Sequence, residues 1–299
     1  MQILVTGGTG FIGSALCRAL TKQDHRIYIL SRTAQKVTTP YIGISSLNEL
    51  DPDQYFDAVI NLAGEPIANK RWSHKQKQRI RSSRLDTTLA LIDYFKTTEQ
   101  KPKVFISGSA IGYYGVNELS KGKNDSPIAE NSHSDNSFSS QLCKDWESIA
   151  LEANELDIRT CILRTGIVLG NGGALSTMLT PFKMGLGGKI GSGKQWMPWI
   201  HIEDMVGIVM QCIEKDNMEG IINAVAPNPM TNYRFTKALG EQLNRPTLMA
   251  MPAFMIKILM GQMGEELLLA GKRVVPQKAL NSDYHFQFEL LEEALNDIL

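Results

Sequence analysis

The chain has 299 residues with 43% hydrophobic side chains, enough to bury a substantial core in one large domain or two moderate ones. Its 31 basic and 31 acidic residues give no net charge, which argues against a chain-wide basic surface for nucleic acid. The four cysteines are scattered without a Cys-x-x-Cys pair, so we expect reduced, buried thiols and neither a disulfide framework nor a metal site.

Short apolar runs alternate with helical segments along the first half of the chain. The runs predict strands over residues 2–6, 26–30, 57–62, 103–107 and 158–163, and the periodicity predicts helices over 11–22, 74–98 and 138–155. This alternation is typical of an α/β fold in which a doubly wound parallel sheet carries helices on both faces. We assign residues 1–165 to this first domain.

The alternation of predicted strands and helices becomes less regular after about residue 166. A glycine-rich loop is predicted over 185–193 and a helix over 203–214, and a methionine-rich stretch follows at Met249, Met251, Met255, Met260 and Met263. We interpret these methionines as flexible core packing, with an adaptable binding surface as the alternative. Residues 166–299 are expected to form a small cap region interleaved with the last sheet strands. The apolar stretch at 251–260 contains Lys257 and is too short to span a bilayer, and the N-terminus lacks a signal-peptide pattern, so we expect a cytoplasmic protein without membrane contact.

A glycine-rich turn separates the first predicted strand from the first predicted helix. Gly7, Gly10 and Gly13 form a G-x-x-G-x-x-G pattern in the position of a dinucleotide-binding turn. Gly7 permits the tight turn, Gly10 lets the backbone approach a pyrophosphate, and Gly13 lets the helix pack closely on the strand. The helix N-terminus favours the negative charge of the phosphates. The intervening positions are predicted to contact the cofactor as well: Thr9, Phe11 and Ile12.

The end of the second predicted strand indicates which dinucleotide is bound. NAD enzymes usually carry Asp or Glu there, because a carboxylate accepts a hydrogen bond from the ribose 2′-hydroxyl. This chain has Ser31 and Arg32 instead. A guanidinium pairs with a 2′-phosphate that a carboxylate would repel. The residues therefore favour NADP(H) over NAD, with a solvated surface position as the alternative for Arg32.

Several motifs carry a resemblance to a known family. The glycine turn and the Asn-Leu-Ala-Gly segment at 61–64 resemble the short-chain dehydrogenase/reductase superfamily, and the segments at 107–115 and 198–204 resemble its extended, sugar-nucleotide epimerase branch. The chain is more closely similar to an atypical subgroup, the YfcH-like epimerase family proteins, at 61–67, 70–72, 83–84, 164–170 and 185–193. The tail at about 249–297 resembles that subgroup's C-terminal domain of unknown function. The resemblance covers nearly the whole chain.

The resemblance implies a Rossmann fold with a small cap domain. It also implies a cofactor that passes Arg32, runs along Leu62, Ala63 and Gly64, and ends towards Val168. Arg84 is a further implied contact. Its alternative is a salt bridge on the helix surface.

The superfamily mechanism uses three side chains, of which this chain retains two. A serine hydrogen-bonds the substrate oxygen, a tyrosine transfers the proton, and a lysine four residues later lowers the tyrosine pKa. Ser109 and Lys144 match the serine and the lysine, but Ser140 stands in the tyrosine position. A serine hydroxyl is far less acidic than a phenol and too short to reach the same point. The standard proton-transfer group is therefore absent.

Three residues are candidates for the missing role. Tyr113 follows Ser109 in the loop expected to overhang the nicotinamide, with loop packing as its alternative. His201 titrates near physiological pH, with a structural hydrogen bond as its alternative. Glu65 follows the Asn-Leu-Ala-Gly segment and could face the substrate.

A second glycine-rich run imitates a phosphate-binding P-loop. The run 188–194 has the glycine and lysine spacing, but Gln195 stands where a serine or threonine should hold magnesium. Residues 196–199 are also a poor helix start. We therefore expect a mobile substrate-side loop and not a triphosphatase site.

Two functions stay open from the sequence. An NADP(H)-dependent oxidoreductase or nucleotide-sugar epimerase-like enzyme would place a small-molecule substrate between Ser109, the 65–72 loop and the 185–199 loop. Trp72, Lys70 and Arg71 would then stack on and pair with a nucleotide-sugar-like ligand, or form an exposed basic turn. A non-catalytic NADP(H)-binding redox sensor or regulatory protein would retain the glycine turn and lose the tyrosine. Self-association into a homodimer also stays open.

Overall fold

A parallel sheet of seven strands forms the centre of the protein, in a computed structural model that describes residues 1–51, 53–116 and 126–299. In chain order the strands are β1 (Gln2–Thr6), β2 (Arg26–Leu30), β3 (Ile42–Ile44), β4 (Ala58–Asn61), β5 (Val104–Ala110), β6 (Arg159–Thr165), β7 (Ile167–Leu169), β8 (Trp196–Met197), β9 (Trp199–His201), β10 (Gly220–Ala224) and β11 (Met230–Thr231). The central sheet has the order β10-β6-β5-β4-β1-β2-β3, while β7 pairs with β9 and β8 with β11. The predicted doubly wound α/β fold is confirmed.

Helices cover both faces of the sheet. They are α1 (Phe11–Lys22), α2 (His74–Thr97), α3 (Phe138–Leu151), α4 (Gly173–Lys183), α5 (Ile202–Glu214), α6 (Asn232–Gln242), α7 (Ala253–Met260), α8 (Gln262–Gly264), α9 (Gln277–Asn281) and α10 (Leu291–Ile298). Short 3-10 turns lie at Ala34–Lys36, Leu47–Glu49, Ile111–Tyr114 and Glu152–Leu156, and a π-helical turn at Glu265–Leu269. The predicted helix over 138–155 thus ends at Leu151 and continues as a 3-10 turn.

Two apolar layers hold the helices to the sheet. Leu16 and Leu20 of α1 and Val209 of α5 pack on one face. Leu91 of α2 and Ala150 of α3 pack on the other. Because β1 lies between β2 and β4, the connections on its two sides run in opposite directions, which opens a crevice at the carboxyl ends of these strands.

The C-terminal region completes the sheet and adds a second core. Strand β10 pairs with β6, so the region after residue 165 supplies an edge of the central sheet. Trp199, Phe235 and Leu291 are buried together with parts of α4, α6 and α10 in a separate apolar cluster. The helices in the described residues include none with the length and apolarity needed to cross a bilayer.

The predicted burial of the cysteines is confirmed, whereas the predicted burial of the methionines is wrong for three of them. All four cysteines are free and buried, as predicted. Of the methionines interpreted as core packing, Met263 is buried, but Met249, Met251 and Met255 are exposed. The core interpretation is wrong for these three, because α7 and the segment before it present one side to solvent.

Candidate functional site

The glycine-rich turn between β1 and α1 is shaped by two close backbone approaches. Gly7 has a φ of +71°, and a Cβ atom there would lie 2.6 Å from the carbonyl oxygen of Leu62. A Cβ atom on Gly13 would lie 2.2 Å from the carbonyl oxygen of Gly7. Both distances are too short for a side chain, so only glycine fits either position. Backbone packing therefore fixes the turn that brings α1 close to β1.

The N-terminus of α1 opens at this turn without a side-chain cap. Gly10 is the N-cap residue, and its N–H donates back into the turn at 2.9 Å. Thr9 and Gly10 are exposed, while Phe11 and Ile12 are half-buried at the start of the helix. Uncapped N–H groups in a first helical turn bind anions, and the helix dipole favours negative charge there. This geometry fits the pyrophosphate of a dinucleotide.

The end of β2 presents a cation beside the turn. The N–H of Ser31 donates to the carbonyl of Ile44 at 2.9 Å, and Ser31 Oγ accepts from the N–H of Thr33 at 3.2 Å. Arg32 follows, exposed and without an ion pair to any residue in 1–51, 53–116 or 126–299. An unpaired guanidinium can bind a phosphate through two parallel hydrogen bonds. The arrangement fits the 2′-phosphate of NADP(H).

A buried asparagine ties the end of β4 to the glycine turn. Asn61 Oδ1 accepts from Thr6 Oγ1 at 2.7 Å, and Asn61 Nδ2 donates to Thr88 Oγ1 at 2.8 Å. Thr6 Oγ1 in turn accepts from the N–H of Ala63 at 3.1 Å. These bonds hold the backbone of Leu62 and Ala63 against the turn, on the path implied for the cofactor.

Arg84 of α2 packs on the continuation of the same segment. A Cβ atom on Gly64 would lie 2.9 Å from Arg84 Cζ, and Arg84 Nη1 donates to the carbonyls of Glu65 and Ile80, both at 3.1 Å. The guanidinium also lies 5.4 Å from the ring of Trp146, and burial lowers the pKa of Arg84. Across the described part of the chain Arg84 makes no salt bridge, so the surface-pair alternative is not what the structure shows. Arg84 holds the 64–65 backbone beside the expected cofactor path.

Strands β7 and β9 form the cap side of the site. Val168 is buried and lies opposite Ile200 in this parallel pair. His201, at the end of β9, caps α5 by accepting from the N–H of Glu203 at 3.3 Å, and its Nε2 lies 3.3 Å from a carboxylate oxygen of Asp297. The ring is 1% exposed, and burial lowers the pKa of His201. The imidazole is therefore a structural cap, closed to a substrate in this conformation.

Ser109 belongs to a buried charged network. Its Oγ donates to Glu147 Oε1 at 2.6 Å. Glu147 also binds Arg164 through two contacts, from Nη2 to Oε2 at 2.8 Å and from Nε to Oε1 at 2.9 Å. All three side chains are at most 5% exposed. Because the hydroxyl hydrogen of Ser109 points to the carboxylate, Ser109 offers only lone pairs to a ligand.

Arg164 also contacts both tyrosines of the loop after β5. Arg164 Cζ lies 3.3 Å from the ring centre of Tyr113, and Arg164 Nη1 donates to the Tyr114 hydroxyl at 3.1 Å. The Tyr114 hydroxyl donates to Asn223 Oδ1 at 2.7 Å. Tyr114 is fully buried, and burial raises its pKa although Arg164 opposes the shift. Tyr113 is half-buried, and its ring is stacked on the guanidinium of Arg164.

Backbone carbonyl groups surround the side chain at position 140, where the superfamily has its tyrosine. Ser140 is fully buried, and its Oγ lies 2.7 Å from the carbonyl oxygen of Tyr113 and 2.9 Å from that of Asp135. Lys144 Nζ donates to the same Asp135 carbonyl at 3.0 Å. A phenol at position 140 would have to displace these groups. Ser140 and Lys144 hold the loop before α3 in place.

C-terminal residues pack against the start of α3 and against Trp72. The carboxylate of Glu266 accepts from the N–H groups of Phe138 at 3.2 Å and Ser139 at 2.9 Å, and so caps α3. Trp72 donates from Nε1 to the carbonyl of Ile67 at 2.8 Å, and its ring meets Phe138 edge-on at 4.9 Å. Trp72 is buried, so the prediction that it stacks on a ligand is wrong: the ring fills the core beneath the C-terminal helices. Its two basic neighbours, at 70 and 71, are exposed.

The glycine-rich loop at 185–193 is tied to the C-terminal region. The N–H of Met251 donates to the Lys189 carbonyl at 2.9 Å, and the N–H of Gly191 donates to the Met251 carbonyl at 2.8 Å. Gln195 Nε2 donates to the Leu268 carbonyl at 2.9 Å. Strand β8 follows the loop. A P-loop would lead into a helix, so the structure agrees with the rejection of a triphosphatase site.

Four residues of the site were not found as site residues from the sequence. Glu147, Asn223 and Glu266 carry no motif of their own, and Arg164 appeared only within the segment of resemblance at 164–170. A weak signal exists for Glu147, which lies three residues after Lys144 and so on the same side of α3. Ser109, Glu147 and Arg164 meet because β5, α3 and β6 pack together, while Asn223 comes from β10 and Glu266 from the turn at Glu265–Leu269.

Comparisons with known proteins were consistent with this geometry. A sequence model of the NAD dependent epimerase/dehydratase family matches residues 3–225, and one of a domain of unknown function, DUF1731, matches residues 251–298. The human epimerase family protein SDR39U1 is 36% identical over all of both chains, and Bacillus subtilis YfhF, also an epimerase family protein, is 36% identical over 100% of this chain and 98% of its own. The crystal structure of human SDR39U1 isoform 2 with NADPH superposes with a TM-score of 0.89, at 35% identity over 100% of this chain and 99% of that one.

Proposed function

The chain belongs to the NAD dependent epimerase/dehydratase family, and we propose that it binds NADP(H) and acts on a small-molecule substrate as an oxidoreductase or nucleotide-sugar epimerase-like enzyme. The observation that carries the cofactor proposal is the uncapped N-terminus of α1 at the glycine turn, beside the exposed Arg32. The human relative was crystallised with NADPH. The four buried free thiols fit a reducing compartment, and we propose the cytoplasm.

Each part of the cofactor has residues suited to hold it. The backbone from Gly7 to Gly13 would hold the pyrophosphate, and Ser31 and Arg32 the 2′-phosphate. The segment 62–64, supported by Arg84, would line the middle of the cofactor, and Val168 the nicotinamide end. A bound nicotinamide supplies or accepts a hydride.

The hydrogen-bond direction at Ser109 favours one class of substrate group. Since its hydrogen is donated to Glu147, Ser109 Oγ can accept a hydrogen bond from a substrate hydroxyl without rearrangement. A substrate carbonyl needs a donor, so the serine would first have to leave the carboxylate, at a cost of about 1.5–3 kcal/mol for a charged hydrogen bond. We therefore propose an alcohol as the group that binds Ser109.

A second function is favoured by the closed position at Ser140. A protein that binds NADP(H) as a redox sensor or regulatory partner has no need of the tyrosine, and the backbone around Ser140 leaves no space for it. In this alternative the Ser109–Glu147–Arg164 network is purely structural.

Turnover distinguishes the two functions. The protein is incubated with NADPH or NADP⁺ and a panel of carbonyl compounds, alcohols and nucleotide sugars, and the nicotinamide absorbance is followed. We expect turnover that Ser109→Ala abolishes and that Ser148→Ala, an exposed serine on the same helix α3, leaves unchanged. Cofactor binding without turnover of any substrate would instead support the regulatory function.

A further inference from the structure

A small cleft lies between the glycine-rich loop at 185–193, helix α6 and the segment at 247–250. Its volume is about 210 Å³, below the range of about 300–1,000 Å³ for sites that hold drug-sized ligands. The lining residues that the structure describes all come from these three segments. The cleft is therefore separate from the glycine turn, from Arg32 and from the 62–64 segment on the expected cofactor path.

Hydrogen bonds hold the walls of the cleft together. The N–H of Tyr233 donates to the Gly193 carbonyl at 2.9 Å, which joins the start of α6 to the loop. The N–H of Met251 donates to the Lys189 carbonyl at 2.9 Å, which joins the segment before α7 to the same loop. The cleft is thus preformed, and preformed walls lower the entropy cost of binding a ligand.

Two lysines give the cleft a positive charge. Lys189 lies along the loop, where a Cβ atom on Gly193 would be 3.2 Å from Lys189 Cδ, and Lys237 extends from α6. Across residues 1–51, 53–116 and 126–299 neither lysine forms an ion pair. The exposed Glu241 is four residues after Lys237 on α6 and lies outside the lining. The two ammonium groups therefore favour an anion in the cleft.

Two threonine hydroxyls add hydrogen-bond donors. Thr236 is 4% exposed, and its hydroxyl has no hydrogen bond to the residues that the structure describes. Because a buried hydroxyl usually has a partner, this one is available to a ligand in the cleft. Thr247 turns its methyl group to α6, where a Cβ atom on Gly240 would lie 2.2 Å from Thr247 Cγ2. Its hydroxyl is thereby directed away from the helix.

These groups fit a phosphate monoester better than a carboxylate. A phosphate monoester carries a charge of about −1.5 to −2 at pH 7 and three acceptor oxygens. Two ammonium groups balance that charge, and lysine binds phosphate as a point charge. A carboxylate carries a single charge and would leave one ammonium without a partner. Tyr233 and Leu248, which are 51% and 84% exposed, offer apolar surface to the organic part of the ligand.

We propose that this cleft is a second ligand site, which binds a small phosphate monoester such as a sugar phosphate with its phosphate group between Lys189 and Lys237. The site does not depend on the NADP(H) turn or on Ser109. Since Lys189 belongs to the loop and Lys237 to α6, the bound phosphate bridges the two and stabilises the folded protein.

Calorimetric titration of the full chain tests the proposal, with NADPH in excess so that the cofactor turn is occupied. We expect glucose 6-phosphate to bind at one site per chain, inorganic phosphate to bind more weakly, and glucose not to bind. Lys237→Gln should weaken glucose 6-phosphate about ten-fold or more, the change expected for the loss of one hydrogen bond between charged groups. Lys22→Gln, at an exposed lysine on α1, is the matched control and should bind as the wild type does.

A second variant separates ligand binding from stability. Thr236→Val removes a hydroxyl that has no partner in the described part of the chain, so the free protein should keep its melting temperature while its affinity for glucose 6-phosphate falls. A threonine with only a structural role would leave the affinity unchanged.

Three results would overturn the proposal. One is the absence of glucose 6-phosphate binding at millimolar concentration. Another is binding that Lys237→Gln and Lys189→Gln both leave unchanged, because the ligand would then lie elsewhere on the protein. The third is inorganic phosphate that binds as tightly as glucose 6-phosphate, because the organic part would then make no contact with the cleft.

Discussion

Removing the charge of Glu147 should destabilise the protein strongly. Glu147 is 4% exposed and neutralises Arg164, which is 2% exposed. Burial by itself disfavours the charge of the guanidinium, but the hydrogen bonds and the negative charge of Glu147 raise the pKa of Arg164 overall. Glu147→Gln would therefore leave a buried cation without its counter-charge. Breaking a buried ion pair from one side costs about 3–5 kcal/mol.

The neighbouring helix position supplies a matched control. Asp145, also on α3, pairs with Arg81 at 2.6 Å, a shorter distance than the 2.8 Å between Glu147 and Arg164. The side chains of Arg81 and Asp145 are 45% and 29% exposed, so solvent screens this pair. Asp145→Asn should cost at most about 1 kcal/mol. Burial, and not distance, then explains the difference between the two substitutions.

Urea unfolding measures both variants. We expect the midpoint of Glu147→Gln to fall far below that of Asp145→Asn, with a similar slope for both. Replacing both partners by methionine should cost less than Glu147→Gln alone, because no unpaired charge remains. The reasoning is refuted if Glu147→Gln and Asp145→Asn cost the same.

Three further outcomes are expected. Gly13→Ala should abolish NADPH binding, because the Cβ atom of the alanine would lie 2.2 Å from the Gly7 carbonyl oxygen. Calorimetric titration measures the affinity, and an affinity equal to that of the wild type would contradict the prediction. Burial lowers the pKa of His201, so protons bind preferentially to the unfolded chain, and the free energy of unfolding should fall as the pH drops below about 6.5. This fall should be shallower in His201→Asn. An identical pH profile for the wild type and the variant would contradict the role given to His201. Burial raises the pKa of Cys143 to about 11 and all four thiols are buried, so Ellman's reagent at pH 8 should label none in the folded protein and four in denaturant; rapid labelling of the native chain would show that the site opens.

The sequence predicted the parts of the fold that depend on local pattern. Strand β1, the glycine turn and α1 are contiguous, and each has its own periodicity or backbone requirement, so their order and the roles of Gly7 and Gly13 could be deduced. Arg32 could be proposed as a cofactor contact for the same reason, since it lies directly after a strand whose end is easy to recognise, and its role stays a prediction.

Contacts between distant segments could not be deduced in this way. The Glu147–Arg164 pair joins α3 to β6, and nothing in either local sequence indicates a buried charge. The direction of the Ser109 hydrogen bond follows from that pair and was therefore also hidden. The exposed methionines were misassigned because an apolar side chain is assumed to be buried unless its surroundings are known.

The most direct test of the central claim is the affinity of the protein for NADPH and NADH. Both are titrated into the wild-type chain and into Arg32→Ala, with fluorescence of the nicotinamide as the signal. We expect NADPH to bind more tightly than NADH, and Arg32→Ala to weaken NADPH by about 1.5–3 kcal/mol, the value of a charged hydrogen bond, while NADH is unaffected. Equal affinities in the wild type, or an Arg32→Ala variant that binds NADPH as before, would contradict the assignment of the 2′-phosphate to Arg32 and with it the claim that this is an NADP(H) site.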